Sequence, residues 1–223
     1  MKNIFSILYL LGMCGFVHSQ NVYYTPPTVK EKTAEKVKNY FSSLEEALQY
    51  SHPEYVISLD LEYTNVKVIP KQIGKFKNLE NLSLSRRRLT NLPAEIGKLT
   101  KMKRLFLSGN NFTSFPSGIT NMKDLYELSL GFTPIKALPK DINKLKNLQI
   151  LNLMSAGLTE LPEKFGELQK LEYLSLSGNN IKKFPNSFYK LNLKMLTFSK
   201  AYLSESEKEK IKKAFPKCRI LFE

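Results

Sequence analysis

The chain has 223 residues, 42% of them hydrophobic and 24% charged, and a formal net charge of +14. That composition suits one sizeable packed core. With only Cys14 and Cys218 it excludes a disulfide-stapled miniature, while the positive charge raises the question of an anionic partner.

Met1-Lys2-Asn3 is a short positive start, and Ile4 to Val17 is an almost unbroken apolar run. Val17-His18-Ser19 then offers small residues at the −3 and −1 positions of a cleavage site. Residues 1–19 therefore read as an export signal. The run is shorter than the roughly 20 apolar residues that cross a bilayer, so no membrane span is expected. Two alternatives stand beside this reading. One is an uncleaved anchor. The other is a lipoprotein signal with Cys14 lipidated, against which Met13 occupies a place that wants a small residue. Residues 20–42, with Pro26-Pro27 and several lysines, read as a linker. Residues 43–55 read as an N-terminal cap: Ser43-Leu44-Glu45-Glu46 has the form of a capping box, which predicts a short helix.

From there a period takes over. Pro70, Pro93, Pro116, Pro139, Pro162 and Pro185 fall 23 residues apart. Written from Leu79, one repeat is LENLSLSRRRLTNLPAEIGKLTK, apolar at positions 1, 4, 6, 11, 14, 18 and 21. Repeats starting at Val56, Met102, Leu125, Leu148 and Leu171 keep the pattern, and a partial seventh starts at Leu193. Six full repeats and one partial repeat thus occupy residues 56–203. Positions 4 and 6 flank one outward residue, as in a short strand. A unit of this length cannot bury its own apolar face, and stacked neighbours bury a continuous core.

The pattern L-x-x-L-x-L-x-x-N-x-L, with its L-P-x-x-I-x-x-L continuation, resembles the 23-residue class of leucine-rich repeats, secreted bacterial members included. The resemblance implies an α/β solenoid, a horseshoe whose parallel β-sheet lines the concave face, and a binding module as the function. It also implies an asparagine at position 9 that hydrogen-bonds the turn backbone. Only Asn110 and Asn179 keep it; Thr64, Arg87, Thr133, Ala156 and Ala201 stand in the other repeats. Turn geometry near Arg87 and Ala156 is therefore open.

Residues 204–223 read as a C-terminal cap. Ser204-Glu205-Ser206-Glu207 opens a helix on acidic residues, lysines close it and Pro216 stops it. Cys218, Ile220 and Phe222 alternate as a last strand.

The outward positions of each repeat are 2, 3, 5, 7 and 8. Most are small or polar, so Phe106, Tyr126, Phe132, Ile150, Met154 and Tyr173 stand out as an apolar group on repeats three to six. Contiguous exposed apolar surface marks interaction sites, although cross-strand aromatic packing alone is the other explanation. Arg86, Arg104 and Glu127 complete the candidate partner-binding set. Outward cations (Arg86, Lys103, Arg104, Lys194, Lys200) match outward carboxylates (Asp60, Glu62, Glu80, Glu127, Glu172) in number. The surplus charge lies on convex-side lysines and in the tails, which argues against a nucleic-acid groove. The dense Arg86-Arg87-Arg88 run either orients an acidic partner or is a solvated edge.

With His52 alone after the export signal, the sequence points to no Ser-His-Asp or Cys-His arrangement, a histidine-rich metal site is not available, and no cofactor is expected. The expectation is a non-enzymatic, monomeric, exported or cell-surface module of the bacterial envelope that binds a protein on its concave face. Carbohydrate or envelope-polymer binding, and a surface adhesion role, are the alternatives. Sequons at Asn81 and Asn111 matter only in a eukaryotic secretory pathway.

Overall fold

A computed structural model describes residues 38–62, 64–199 and 202–222. The expected export signal (residues 1–19) and residues 20–37 lie outside them.

Nine strands form one sheet in strict chain order, every neighbouring pair parallel. They are β1 (Tyr40–Phe41), β2 (Ser58–Asp60), β3 (Asn81–Ser83), β4 (Arg104–Phe106) and β5 (Glu127–Ser129). β6 (Ile150–Asn152), β7 (Tyr173–Leu176), β8 (Met195–Phe198) and β9 (Arg219–Phe222) complete it. The register pairs like positions of successive repeats: Leu59, Leu82, Leu105, Leu128, Leu151, Leu174 and Leu196 form one buried row. This is a leucine-rich-repeat solenoid, and the 23-residue spacing is its rung-to-rung step from β2 to β7.

The return path of each repeat is built around the position-15 proline. A proline has fixed φ and no N–H to satisfy, so it suits the extended residue just before a turn of helix. Pro70, Pro93, Pro162 and Pro185 each precede a short 3-10 helix that buries one large side chain: Ile73, Ile96, Phe165 or Phe188. These side chains meet the strand leucines in one core that runs through every repeat. At roughly 1.5–3 kcal/mol per buried large aliphatic, that continuity offsets the ordering of so many short elements.

Polar groups tie the rungs together. Asn110 Oδ1 accepts from the Arg87 and Leu89 amides at 3.1 and 2.9 Å, and its Nδ2 donates to the Leu84 and Leu107 carbonyls. Asn179 repeats this with Ala156, Leu158, Leu153 and Leu176. Each asparagine therefore serves the repeat before it as well as its own. That resolves the turns at Arg87 and Ala156: both amides are met by the asparagine of the following repeat. At Thr64 and Thr133 the hydroxyl donates to the carbonyl three residues back.

At the first edge, β1 extends the sheet from within the stretch expected to be linker, and Phe41 is buried there. The apolar Phe41 joins the core, so the sheet includes a strand that precedes the capping box. Ser43 caps helix α1 (Leu44–Gln49), accepting from the Glu46 amide, and α1 buries Leu44 and Ala47. A separate 3-10 turn at Pro53–Tyr55 follows. At the last edge, Ser204 caps helix α2 (Glu205–Ala214), which buries Ile211 and leads to β9. β9 places Ile220 in the buried leucine row and Phe222 beside Phe198.

Candidate functional site

The outward face of the sheet is organised in rows by the register. The position-3 row reads Ser58, Asn81, Arg104, Glu127, Ile150, Tyr173 and Met195, and the position-5 row reads Asp60, Ser83, Phe106, Ser129, Asn152, Ser175 and Thr197. Strand backbones about 4.8 Å apart bring these side chains into contact across rungs.

Charges near the start of the strands meet opposite charges on neighbouring strands. Lys103 Nζ lies 2.8 Å from Glu80, and Lys194 Nζ lies 2.8 Å from Glu172. The Arg104 guanidinium sits over the Tyr126 ring, 5.7 Å from its centroid. Burial raises the Tyr126 phenol above its ordinary pKa, and the Arg104 charge only partly opposes it. Tyr126 is therefore half-buried sheet structure as much as free surface.

The expected partner-binding residues separate on this geometry. Glu127 and Ile150 point outward in register yet are only 5% and 8% exposed. Larger neighbours in the same row, Arg104 and Tyr173, stand beside them. They are thus parts of the sheet surface with little area left to offer. Phe106, Tyr126, Met154 and Tyr173 are half-buried, and Arg86 and Arg104 are exposed. Among the apolar members Phe132 stands apart in being 58% exposed.

Its backbone, like that of Arg86, also differs from the rest. The position-8 column, just beyond the strand ends, is left-handed from the second repeat to the sixth: Arg86 (φ 59°), Gly109 (69°), Phe132 (55°), Ser155 (50°) and Gly178 (72°). Each amide from Arg86 to Ser155 donates to a carbonyl of the next repeat, so the sheet-like ladder continues into this column. Glycine adopts such a conformation freely; a bulky side chain there costs roughly 1–2 kcal/mol. Phe132 thus holds an exposed aromatic ring where local energetics favour glycine. Backbone cost retained in this way concentrates at functional sites. The glycines at 109 and 178 are the signal by which the column's handedness could have been read.

Between the two edges the face is polar and internally bonded. Ser108 and Ser129 share a 2.6 Å hydrogen bond, and Asn152 donates to Ser129 at 3.2 Å. Thr197 donates to Ser175 at 2.9 Å and accepts from Ser177 at 3.1 Å. This hydroxyl row is invisible to apolar counting and leaves the floor beside Phe132 smooth.

The residues that match known families fall on this same array. The leucine-rich repeat region family matches residues 56–134, and the leucine rich repeat family matches 123–181 and 146–200. The chain is a leucine-rich-repeat protein. Among solved structures, this leucine-rich-repeat chain is similar to the Leptospira interrogans LRR protein LIC12759, with 31% identity and a TM-score of 0.55 over 76% of the chain and 55% of that protein. It is also similar to a plant peptide hormone receptor, RGFR1 in complex with RGF2: 25% identity, TM-score 0.63, 75% of the chain and 28% of the receptor. An internalin from Listeria monocytogenes shares the fold at 20% identity and a TM-score of 0.65, over 80% of the chain and 53% of the internalin. The chain therefore spans between 28% and 55% of the length of these three relatives. No curated protein matches it in sequence.

Leucine-rich repeats are generally binding modules. Among the described residues no group of three or more His, Cys, Asp or Glu side chains could hold a metal ion, and no helix is long and apolar enough to cross a membrane. Burial pushes the Cys218 thiol up to about 11, so at neutral pH it stays protonated and is a weak nucleophile.

Proposed function

We infer that this leucine-rich-repeat chain is a non-catalytic module that binds a protein partner on the outward face of its sheet. The observation that carries the reading is Phe132, an exposed ring held in left-handed backbone at the centre of the array. Half-buried Phe106 and Met154 on the two neighbouring rungs, and Tyr173 one rung further, add apolar area of the kind found in interface cores. The similar plant receptor, whose structure holds a peptide hormone, supports a polypeptide as the ligand class. The amino-terminal pattern of residues 1–19 supports an exported or envelope-surface protein.

The test is capture of partner from the native envelope or medium. Wild type is compared with Phe132→Gly and with the combined change of Phe106, Tyr126 and Tyr173 to serine. Phe132→Gly relieves the left-handed strain, so the variant is expected to stay folded, with a stability change within about 1 kcal/mol. Loss of capture by that folded variant is the expected result. Retained capture by both folded variants would remove the face from consideration. Binding to a glycan array in preference to protein would favour the carbohydrate reading.

A further inference from the structure

The two edges of the sheet carry their charge differently. Where the strands begin, Glu80 and Glu172 are held by lysines of the next rung, and Glu127 lies in register with Arg104. Where the strands end, the picture changes. The turns at positions 7 to 13 of the six repeats hold Lys67, the Arg86–Arg88 run, Lys136, Lys182 and Lys183. Within those turns Glu62 and Glu160 oppose these seven cations, and Glu62, with Asp60 at the end of β2 beside it, faces Arg86 and Arg87. All of the cations except Arg87 are exposed, and parallel pairing brings every one of these turns to the same edge. The balance of charge over the outward positions hides this segregation.

Phe132 stands in the middle of that basic edge. Gly109 separates it from Arg86, whose side chain leans onto Gly109: a β-carbon added there would meet Arg86 Cγ at 3.1 Å. Lys136 is exposed four residues beyond the ring and is also left-handed, at φ 63°. On the other side the column runs smoothly over Ser155 to Gly178. One projecting ring is thus bracketed by cations on an otherwise low ledge.

We propose that this strand-end edge docks an acidic segment of a protein partner, with Phe132 seated among its apolar side chains and Arg86, Arg88 and Lys136 facing its carboxylates. The proposal rests on the reading of the sheet face as protein-binding and names the partner's chemistry. Aromatic and arginine side chains dominate interface energetics, and segregated charge steers an oppositely charged partner into register. A single-stranded nucleic acid fits less well. It needs successive rings on which bases stack, and among the described residues of this column Phe132 is the one strongly exposed ring.

The test uses the full chain and three labelled probes of matched length. They are a peptide alternating glutamate with leucine, the same peptide with lysine for glutamate, and an oligothymidylate. The edge variant is Arg86→Gly, Arg88→Gly and Lys136→Glu; glycine suits the left-handed sites. Its control, Lys98→Glu with Lys123→Glu, changes net charge equally on exposed residues away from the edge. The acidic peptide is expected to bind in preference to the other two. The edge variant should weaken it by about tenfold and the control by less than about twofold. Phe132→Gly should weaken it several-fold with no change of charge. Equal losses for edge variant and control would show unspecific attraction and overturn the proposal, as would absence of acidic-peptide binding or tighter binding of the oligonucleotide. If native partner capture is lost in the sheet-face variants but untouched in the edge variant, protein binding stands and the acidic edge falls.

Discussion

At the scale of single residues, Asn110 carries the most structure per atom. It is 1% exposed, and its amide group closes four backbone bonds spanning two repeats. Asn110→Ala leaves two N–H groups and two carbonyls to find other partners, which is expected to cost about 3 kcal/mol. The adjacent Asn111 has an exposed side chain, so Asn111→Ala should stay within about 0.5 kcal/mol. Urea unfolding of the two variants checks the contrast, and similar midpoints would show that the asparagine bonds are dispensable. The importance of this residue was legible in the sequence because it recurs at Asn179 in the same position. That the missing asparagines at Arg87 and Ala156 do no harm was not legible. It follows from each asparagine reaching back one rung, a property of stacking that no single repeat displays. Phe132 illustrates the same limit. Its type was readable, but its exposure and left-handed backbone depend on neighbours 23 residues away on either side.

At the scale of elements, helix α2 is fastened to the array by one carboxylate. Glu207 is buried, accepts from the Phe184 amide at 3.0 Å and from the Tyr189 hydroxyl, and has Lys210 3.5 Å away. Burial, the largest single influence, would raise its pKa. The Phe184 amide, the Tyr189 hydroxyl and Lys210 together outweigh it and hold the carboxyl below the ordinary range. A group whose folded pKa is depressed stabilises the fold above its unfolded pKa and loses that contribution as pH falls through the folded value. Glu207→Gln should therefore flatten the acid limb of stability below about pH 4.5, the region where unfolded glutamates titrate. Glu207→Ala should cost about 2 kcal/mol at neutral pH by orphaning the Phe184 amide. Thermal melts across pH 3 to 7 distinguish them; an acid limb in Glu207→Gln identical to wild type would place the pH dependence elsewhere. The helix itself was legible from its acidic start, its lysines and Pro216. The fastening was not, because a glutamate three residues after a capping serine reads as a capping-box partner. Its side chain instead turns to Phe184, 23 residues earlier, and fills the place that a further repeat would have filled.

At the scale of the whole array, each rung bonds and packs mainly with its two neighbours, as the pairing order from β1 to β9 records. Stability in such a structure is close to a sum of repeat and interface contributions, so damage at one end should decay with distance. The last edge offers a sharp case. Phe188 meets Phe215 edge-on at 5.5 Å, Phe198 meets Phe222 at 5.0 Å, and Leu196 pairs with Ile220. A chain ending at Leu203 uncovers these three residues together and removes Glu207 from the Phe184 amide. Amide hydrogen exchange should then accelerate most in β8 and β7, less in β6, and scarcely in β2 to β4. Uniform acceleration across all strands would instead mean that the 23-residue units unfold as one block. That outcome would also bear on the sheet face. Phe132 lies in the fourth repeat, three rungs from the lost edge, so under additive stacking its ledge keeps its geometry when the end frays. Under all-or-none unfolding, every perturbation of the last edge would reach it, and binding at Phe132 would track the stability of α2.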